Sequence, residues 1–261
     1  MAMNLPDPVA LAGAPRGRTI DTIAEVLDDL AADPAHIAAV ESIRPGRVRR
    51  DVQDPEYRLR SRYTASLRRF MYNPALLEVV FAEAELKTLF FRTFGYKGQT
   101  EFTVYPNAWL RDLPLLDLGQ RCYLGDGIIL GTNQVAVDQQ YLVVDRISIG
   151  ATTVFDQHCM VGYGSRVGSG CVIGARVMIG MKTRIGDAVL VRPASGVGHH
   201  CRLGNRVRIG HDVMVGAFSV VEDDVIVSDY SRIPEFSRVT RDGIVPRRAE
   251  KAQPLPELQF A

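Results

Sequence analysis

From Ile149 an aliphatic residue, in one case Phe, recurs at every sixth position through Phe155, Val161, Val167 and onward to Val239, sixteen positions without a gap. Two residues before each stands a second column, beginning Ile147, Thr153, Cys159, Ser165, Cys171 and ending at Ser237, whose members are all small or β-branched. Gly follows the aliphatic residue in ten of the sixteen cases. A period of six suits neither the 3.6-residue turn of a helix nor the two-residue alternation of a strand. It suits stacked coils of three short strands, each hexad forming one side of a triangular prism.

The fold class predicted is mainly β, a left-handed parallel β-helix of hexapeptide repeats with an α-helical N-terminal region. The aliphatic residue points to the prism axis, the small one fills the corner, and Gly is expected to ease the corner backbone. Rung-to-rung stacking pairs the backbone groups of each coil with the next. The phase extends upstream through Leu118-Gly119, Leu124-Gly125 and Leu130-Gly131, then slips by one residue before Ile149. The intervening TNQVAVDQQYLVVDR is expected to be a loop or an irregular coil. Breaks in a rigid repeat often carry function.

Upstream, the spacing of Ile20, Ile23, Leu27 and Leu30 predicts a helix over 19–32, ended by Asp33-Pro34. Further helices are expected over 35–43, 55–72 and 74–93, with Arg44 to Asp54 as a linker. The last helix is apolar on much of its surface, which suits contact with a membrane surface or an acyl chain or, more often for such a helix, packing against the prism or a neighbouring subunit. The expected divisions are 1–100 (helical region), 101–117 (connector), 118–240 (β-helix, interrupted at 131–146) and 241–261 (tail).

Composition narrows the partners. With a net charge of +1 the chain has no whole-molecule field to draw it to nucleic acid or an anionic membrane. No run of about eighteen apolar residues suggests a transmembrane segment, and the N-terminus lacks a signal-peptide pattern, so a cytoplasmic location is expected. Cys122, Cys159, Cys171 and Cys201 all fall in the small-residue column and are read as interior residues, not as disulfides or metal ligands. Nine arginines lie between Arg44 and Arg69, either a solvated face or a surface for an anionic partner.

At this point the columns carry a family resemblance. The stretch IGHDVMVGAFSVVEDDV, 209–225, resembles the closing coils of the hexapeptide-repeat acyltransferases, and the likeness covers about 118–240. The resemblance implies a homotrimer with sites in clefts between prisms. It also implies acetyl-CoA, another acyl-CoA or an acyl carrier protein as donor, a sugar hydroxyl or an amine of a small molecule as acceptor, and a His as general base. No metal is expected. Gly216, Ala217 and Ser219 match the G-A-x-S corner of that family, where the N–H of the Ala position holds the pantetheine arm. One coil being eighteen residues, His199 and His200 fall on that same corner a coil earlier, and Lys182 a coil before that.

The family's loop histidine, in a G-T-H-like string, corresponds here to Asn133 in Gly131-Thr132-Asn133. An H-x-C-x-[IV]-G type string of other relatives is matched best at His199-His200-Cys201-Arg202-Leu203-Gly204, and nearly as well from His211. His158, His199, His200 and His211 all fall two or three residues after the aliphatic position, at outward corners, where an imidazole can reach a substrate or simply solvent. The candidates are therefore His199, His200, His158, His211 and Asn133 for catalysis, and Gly216, Ala217, Ser219 and Lys182 for the donor. A γ-type carbonic anhydrase shares the prism, but its three-histidine spacing does not fit intervals of 41, 1 and 11. The alternative to an enzyme is a non-catalytic scaffold or assembly subunit that uses the arginine-rich helices as its partner surface.

Overall fold

The computed structural model describes residues 16–246; the expected helical region before residue 16 and the tail after 246 lie outside the described residues. Five helices come first: α1 (Arg16–Ala32), α2 (Pro34–Glu41), α3 (Pro55–Met71), α4 (Pro74–Ala82) and α5 (Ala84–Thr93). Three of them start alike, with an Asp or Asn cap followed by Pro at the first helical position. Asp33 accepts from the N–H of Ala35, Asp54 from Glu56 and Tyr57, and Asn73 from Leu76. The helix expected over 74–93 is two helices, because Glu83 is extended. The bend lets Phe81 turn back onto Phe90 and Phe91, with ring centroids 5.9 and 6.1 Å away. Tyr63, Phe70, Phe90 and Phe94 centre this core. His36 is buried in it, with Nε2 2.9 Å from the carbonyl of Thr93.

The prism has three faces. Face I carries seven parallel strands from Thr103–Val104 to Ile226–Val227, and face II seven from Trp109–Leu110 to Arg232–Ile233. Face III has eight, from Leu116–Leu118 to Gly243–Pro246, the last of them antiparallel. All sixteen aliphatic positions from Ile149 to Val239 are buried, as is the small column except half-buried Ser231. The segment expected as a connector is itself the first coil, pairing Val104 with Leu124, Leu110 with Leu130 and Leu118 with Ile149. It escaped the period because no Gly follows Val104 or Leu110, and a 3-10 turn at Leu113–Leu115 lengthens one corner.

Glycine has a different task from the one expected. The left-handed conformation at the corners recurs every sixth residue from Thr152 to Phe236, and only Gly164 and Gly170 among those fifteen positions are glycines. The glycines after the aliphatic column instead lie where the next coil passes. A Cβ on Gly186 would stand 2.6 Å from Asn205 Oδ1 and 2.8 Å from the carbonyl carbon of Gly204. The cysteines are reduced and buried, and three of them send Sγ to a carbonyl fifteen residues on, Cys159 to Gly174, Cys171 to Gly186 and Cys201 to Gly216, each at 3.1 Å.

The interruption at 131–146 is a β-hairpin, not an irregular loop. Asn133–Val135 pairs antiparallel with Tyr141–Val144, and Gly46–Arg49 from the expected linker adds a third strand. Two β-branched runs around Asp138-Gln139-Gln140 are the local cause. Arg47 pairs with Asp138 at 3.2 Å and lies over the Tyr141 ring. The arginine cluster is thus largely spent inside the chain: Arg44 and Arg50 donate to backbone carbonyls, Arg62 faces Asp33, and Arg60 is buried against Asp112.

Gly186→Ala should lower stability by roughly 1–3 kcal/mol, since the neighbouring coil must shift to admit the methyl. Gly17→Ala, in an exposed helix with nothing within 4 Å, should be neutral or stabilising. Urea denaturation of the two variants checks the contrast.

Candidate functional site

Between Gly196–Val197 on face II and Arg202–Leu203 on face III the chain turns through Gly198, His199 and His200. The backbone ladder there fixes the stacking: His200 N–H donates to Met181 O, and Phe218 N–H to His199 O. His199 therefore stands between Met181 below and Ala217 above, and His200 between Lys182 and Phe218. Gly180 makes room for the pair, since a Cβ on it would lie 2.6 Å from His199 N and 2.7 Å from its Nδ1.

The two imidazoles differ in what they can do. Nδ1 of His199 accepts the N–H of Met181 at 3.0 Å. This is the capping role that Asp187, Asn205 and Asp223 fill on the edge between faces III and I. An accepting Nδ1 leaves the proton of a neutral ring on Nε2, so His199 faces outward as a donor. The His200 ring holds no hydrogen bond among the described residues. Its ring stacks on Phe218 (4.9 Å, 9°), which stacks on Phe236 (4.9 Å, 2°). Partial burial, then the charge of Lys182, then His199, push the His200 pKa below its ordinary value. A neutral ring with a free nitrogen is what a general base requires.

The other candidates separate. His158 and His211 lie on the edge between faces I and II, with His211 N–H held by Asp229. Asn133 shares the edge of His200 but stands three coils below it, about 14 Å along the axis. Its amide is taken up, with Nδ2 donating to Asp112 Oδ2 at 2.8 Å and Oδ1 accepting from Arg111 at 3.2 Å. Ser219 is fully buried, its hydroxyl donating to the carbonyl of Pro234. It belongs to the interior column, so its side chain cannot touch a donor. Gly216 and Ala217 are part-exposed, and the Ala217 N–H has no partner among the described residues.

Several contributors escaped the sequence reading. Phe218 and Phe236 sit three residues after the aliphatic column, so the same period that placed His200 could have placed them. Nothing in the sequence marks Asp112. Its Oδ2 accepts from Arg60, Thr132 and Asn133, tying α3 and the hairpin to the first coil. Beside it is a narrow cleft of about 50 Å³ lined by Tyr63, Leu67, Arg68, Trp109 and Asn133. A larger open depression, about 600 Å³, lies near the end of the prism between Arg202, Glu222, Asp224 and Arg241. Neither includes His199 or His200, which stand on a convex edge. Among the described residues no three His, Cys, Asp or Glu side chains converge as metal ligands, and no helix is long and apolar enough to cross a membrane.

No protein-family profile and no curated protein matches the chain. Among solved structures it is similar to the UDP-N-acetylglucosamine O-acyltransferase of Moraxella catarrhalis, at 16% identity and TM-score 0.37, over 57% of this chain and 71% of that one. It is also similar to a GDP-perosamine N-acetyltransferase variant of Caulobacter crescentus bound to CoA and GDP-perosamine (16%, TM-score 0.25, 59% and 57% of the two chains). A third is the acetyltransferase domain of PglB from Neisseria gonorrhoeae with acetyl coenzyme A (15%, TM-score 0.23, 62% and 65%).

Replacing Asp112 with Ala strands the Arg60 guanidinium in the interior, both side chains being 5% exposed or less. The expected loss is about 3–5 kcal/mol of folding stability, read by chemical denaturation of the full chain.

Proposed function

We propose that this chain is an acyltransferase, moving an acetyl or longer acyl group from acyl-CoA to a hydroxyl or amine of a sugar or other small molecule. An acyl carrier protein is the alternative donor. The observation that supports this reading is the pairing on one edge of a base and a donor, His200 free and held neutral, His199 locked with Nε2–H outward. His200 takes the proton of the acceptor as its oxygen or nitrogen attacks the thioester carbonyl. The C–O or C–N bond forms, the C–S bond breaks, and His200 returns the proton to the leaving sulfur. His199 Nε2–H is placed to donate to the carbonyl oxygen as it gains charge, and the unpaired Ala217 N–H to hold the donor's amide-bearing arm.

The reading includes a homotrimer. Outward residues of face I run Val154, Val172, Leu190, and those of face II Ile129, Met160, Met178. Val172 and Met178 are about half exposed, at 47% and 53%. Packing face I of one prism on face II of the next around a threefold axis buries both stripes. It also turns the convex edge of His199 and His200 into one wall of a cleft, opposite the Asp187–Asn205–Asp223 edge of the partner. Four reduced, buried thiols suit a cytoplasmic setting.

His200→Ala should lower kcat about 10²–10⁴-fold in acetyl transfer from acetyl-CoA. A variant that keeps its rate sinks the assignment. The acid limb of kcat/KM should lie below the ordinary histidine pKa of about 6.5, because burial and, after it, neighbouring charge disfavour the imidazolium. Lys182→Met removes one of those charges and should move the limb upward, so activity is lost at higher pH than in the parent. Met178→Glu should dissociate the assembly in analytical ultracentrifugation and abolish transfer together with it.

A further inference from the structure

Face III of the prism carries a feature that neither the packing nor the chemistry of His200 uses. Its outward positions stack in parallel register as Asp117, Ser148, Arg166, Arg184, Arg202 and Val220. Three consecutive coils therefore present arginine at the same place, about 4.8 Å apart. All three side chains are exposed, and none has an ion-pair or hydrogen-bond partner among the described residues. Arg238, two coils above Arg202, differs in being paired with Glu222. Like charges opposite one another in a sheet are destabilising, so an external row of anions would relieve a repulsion built into the face. Two residues before Arg184 and Arg202 stand Lys182 and His200, so the row runs alongside the edge that carries the base.

We propose that Arg166, Arg184 and Arg202 form a track for a linear acidic glycan, with one carboxylate per sugar ring, and that this glycan is the acyl acceptor presented to His200. The first half stands on the face alone; the second rests on the acyltransferase reading. Guanidinium forks match carboxylates bidentately. From Arg166 to Arg202 the row spans about 10 Å, longer than a single diphosphate, whose two phosphorus atoms share one oxygen. It fits instead a flexible chain with regularly recurring charges, such as a uronic acid polymer with one carboxylate on each ring. Single-stranded nucleic acid is the weaker fit, since the outward residues of face III from Asp117 to Val220 include no aromatic ring on which bases stack.

The test is binding of oligogalacturonate to the full chain, followed by calorimetry at low and at physiological salt. The parent should bind, more weakly as salt rises, and should ignore uncharged dextran oligomers. Each of Arg166→Gln, Arg184→Gln and Arg202→Gln should weaken binding about fivefold, and the triple variant about a hundredfold. Arg58→Gln, the same charge change at an exposed position of α3, should not alter it. Equal binding by the triple variant, no binding by the parent at low salt, or tighter binding of an oligonucleotide of equal charge overturns the track. His200→Ala should bind the glycan undiminished yet fail to acetylate it. Binding by the parent with acetyl transfer only to neutral sugars overturns the glycan as acceptor and leaves the role of His200 standing. Binding with no thioester turnover on any acceptor removes the transferase and leaves the track.

Discussion

The prism, and through it the placing of every edge residue, depends on one hydrogen-bonded relation, that between a residue and its counterpart one coil away. Backbone N–H groups cross from each rung to the next, as from Arg184 to Cys201 and from Gly186 to Leu203. The small column adds an inner thread. Thr153 donates its hydroxyl to Gly168 O at 2.7 Å and accepts the N–H of Cys171 at 3.2 Å, and Ser165, Ser195 and Ser219 repeat the arrangement. A hydroxyl in both roles satisfies two backbone groups that the sealed corner keeps from water. Cysteine supplies the donor half of the same contact more weakly, and burial pushes the Cys159 thiol up to about 11, so these thiols stay protonated and inert.

That relation also decides where the chain can vary. An insertion within a rung would break the pairing above and below, whereas one at an edge leaves it intact. The hairpin exploits this: Leu118 pairs with Ile149 instead of a residue eighteen further on, and the rungs continue undisturbed. Asp112 then does for the helices what the rungs do for the coils. One carboxylate oxygen gathers Arg60 from α3, Thr132 and Asn133 from the base of the hairpin.

The repeat was legible because its physics is periodic. Burial of the column from Ile149 to Val239, the interior place of the cysteines and the stacking of His199 and His200 on the corner of Lys182 and Ala217 all follow from counting by six. What could not be counted was missed. The first coil lacks glycine and has a lengthened corner, and the hairpin depends on a partner strand, Gly46–Arg49, more than eighty residues away in sequence. The glycine column is visible in the sequence while its cause is not, because sequence cannot separate a residue that needs positive φ from one that must lack a Cβ. Among the candidate residues, period placed every histidine on an edge. Counting by eighteen also puts His158 and His211 on another edge, but no period says that His199 has its Nδ1 occupied or that Asn133 is clamped between Asp112 and Arg111. Ser219 shows the limit of motif matching, since the corner string assigns a donor-binding role to a residue that the period already counts in the interior column.

The end of the prism has a consequence for life in a crowded cell. A solenoid of identical parallel rungs is a template, and its last rung offers unpaired N–H and C=O groups to any chain that can adopt the same period. Here Gly243–Pro246 turns back and lies antiparallel on Ser237–Thr240. The direction is wrong for another rung, and Pro246 has no N–H to offer. On this face the reversal blocks the addition of a further parallel rung, and the eight-stranded sheet ends on a strand that cannot template its own repeat.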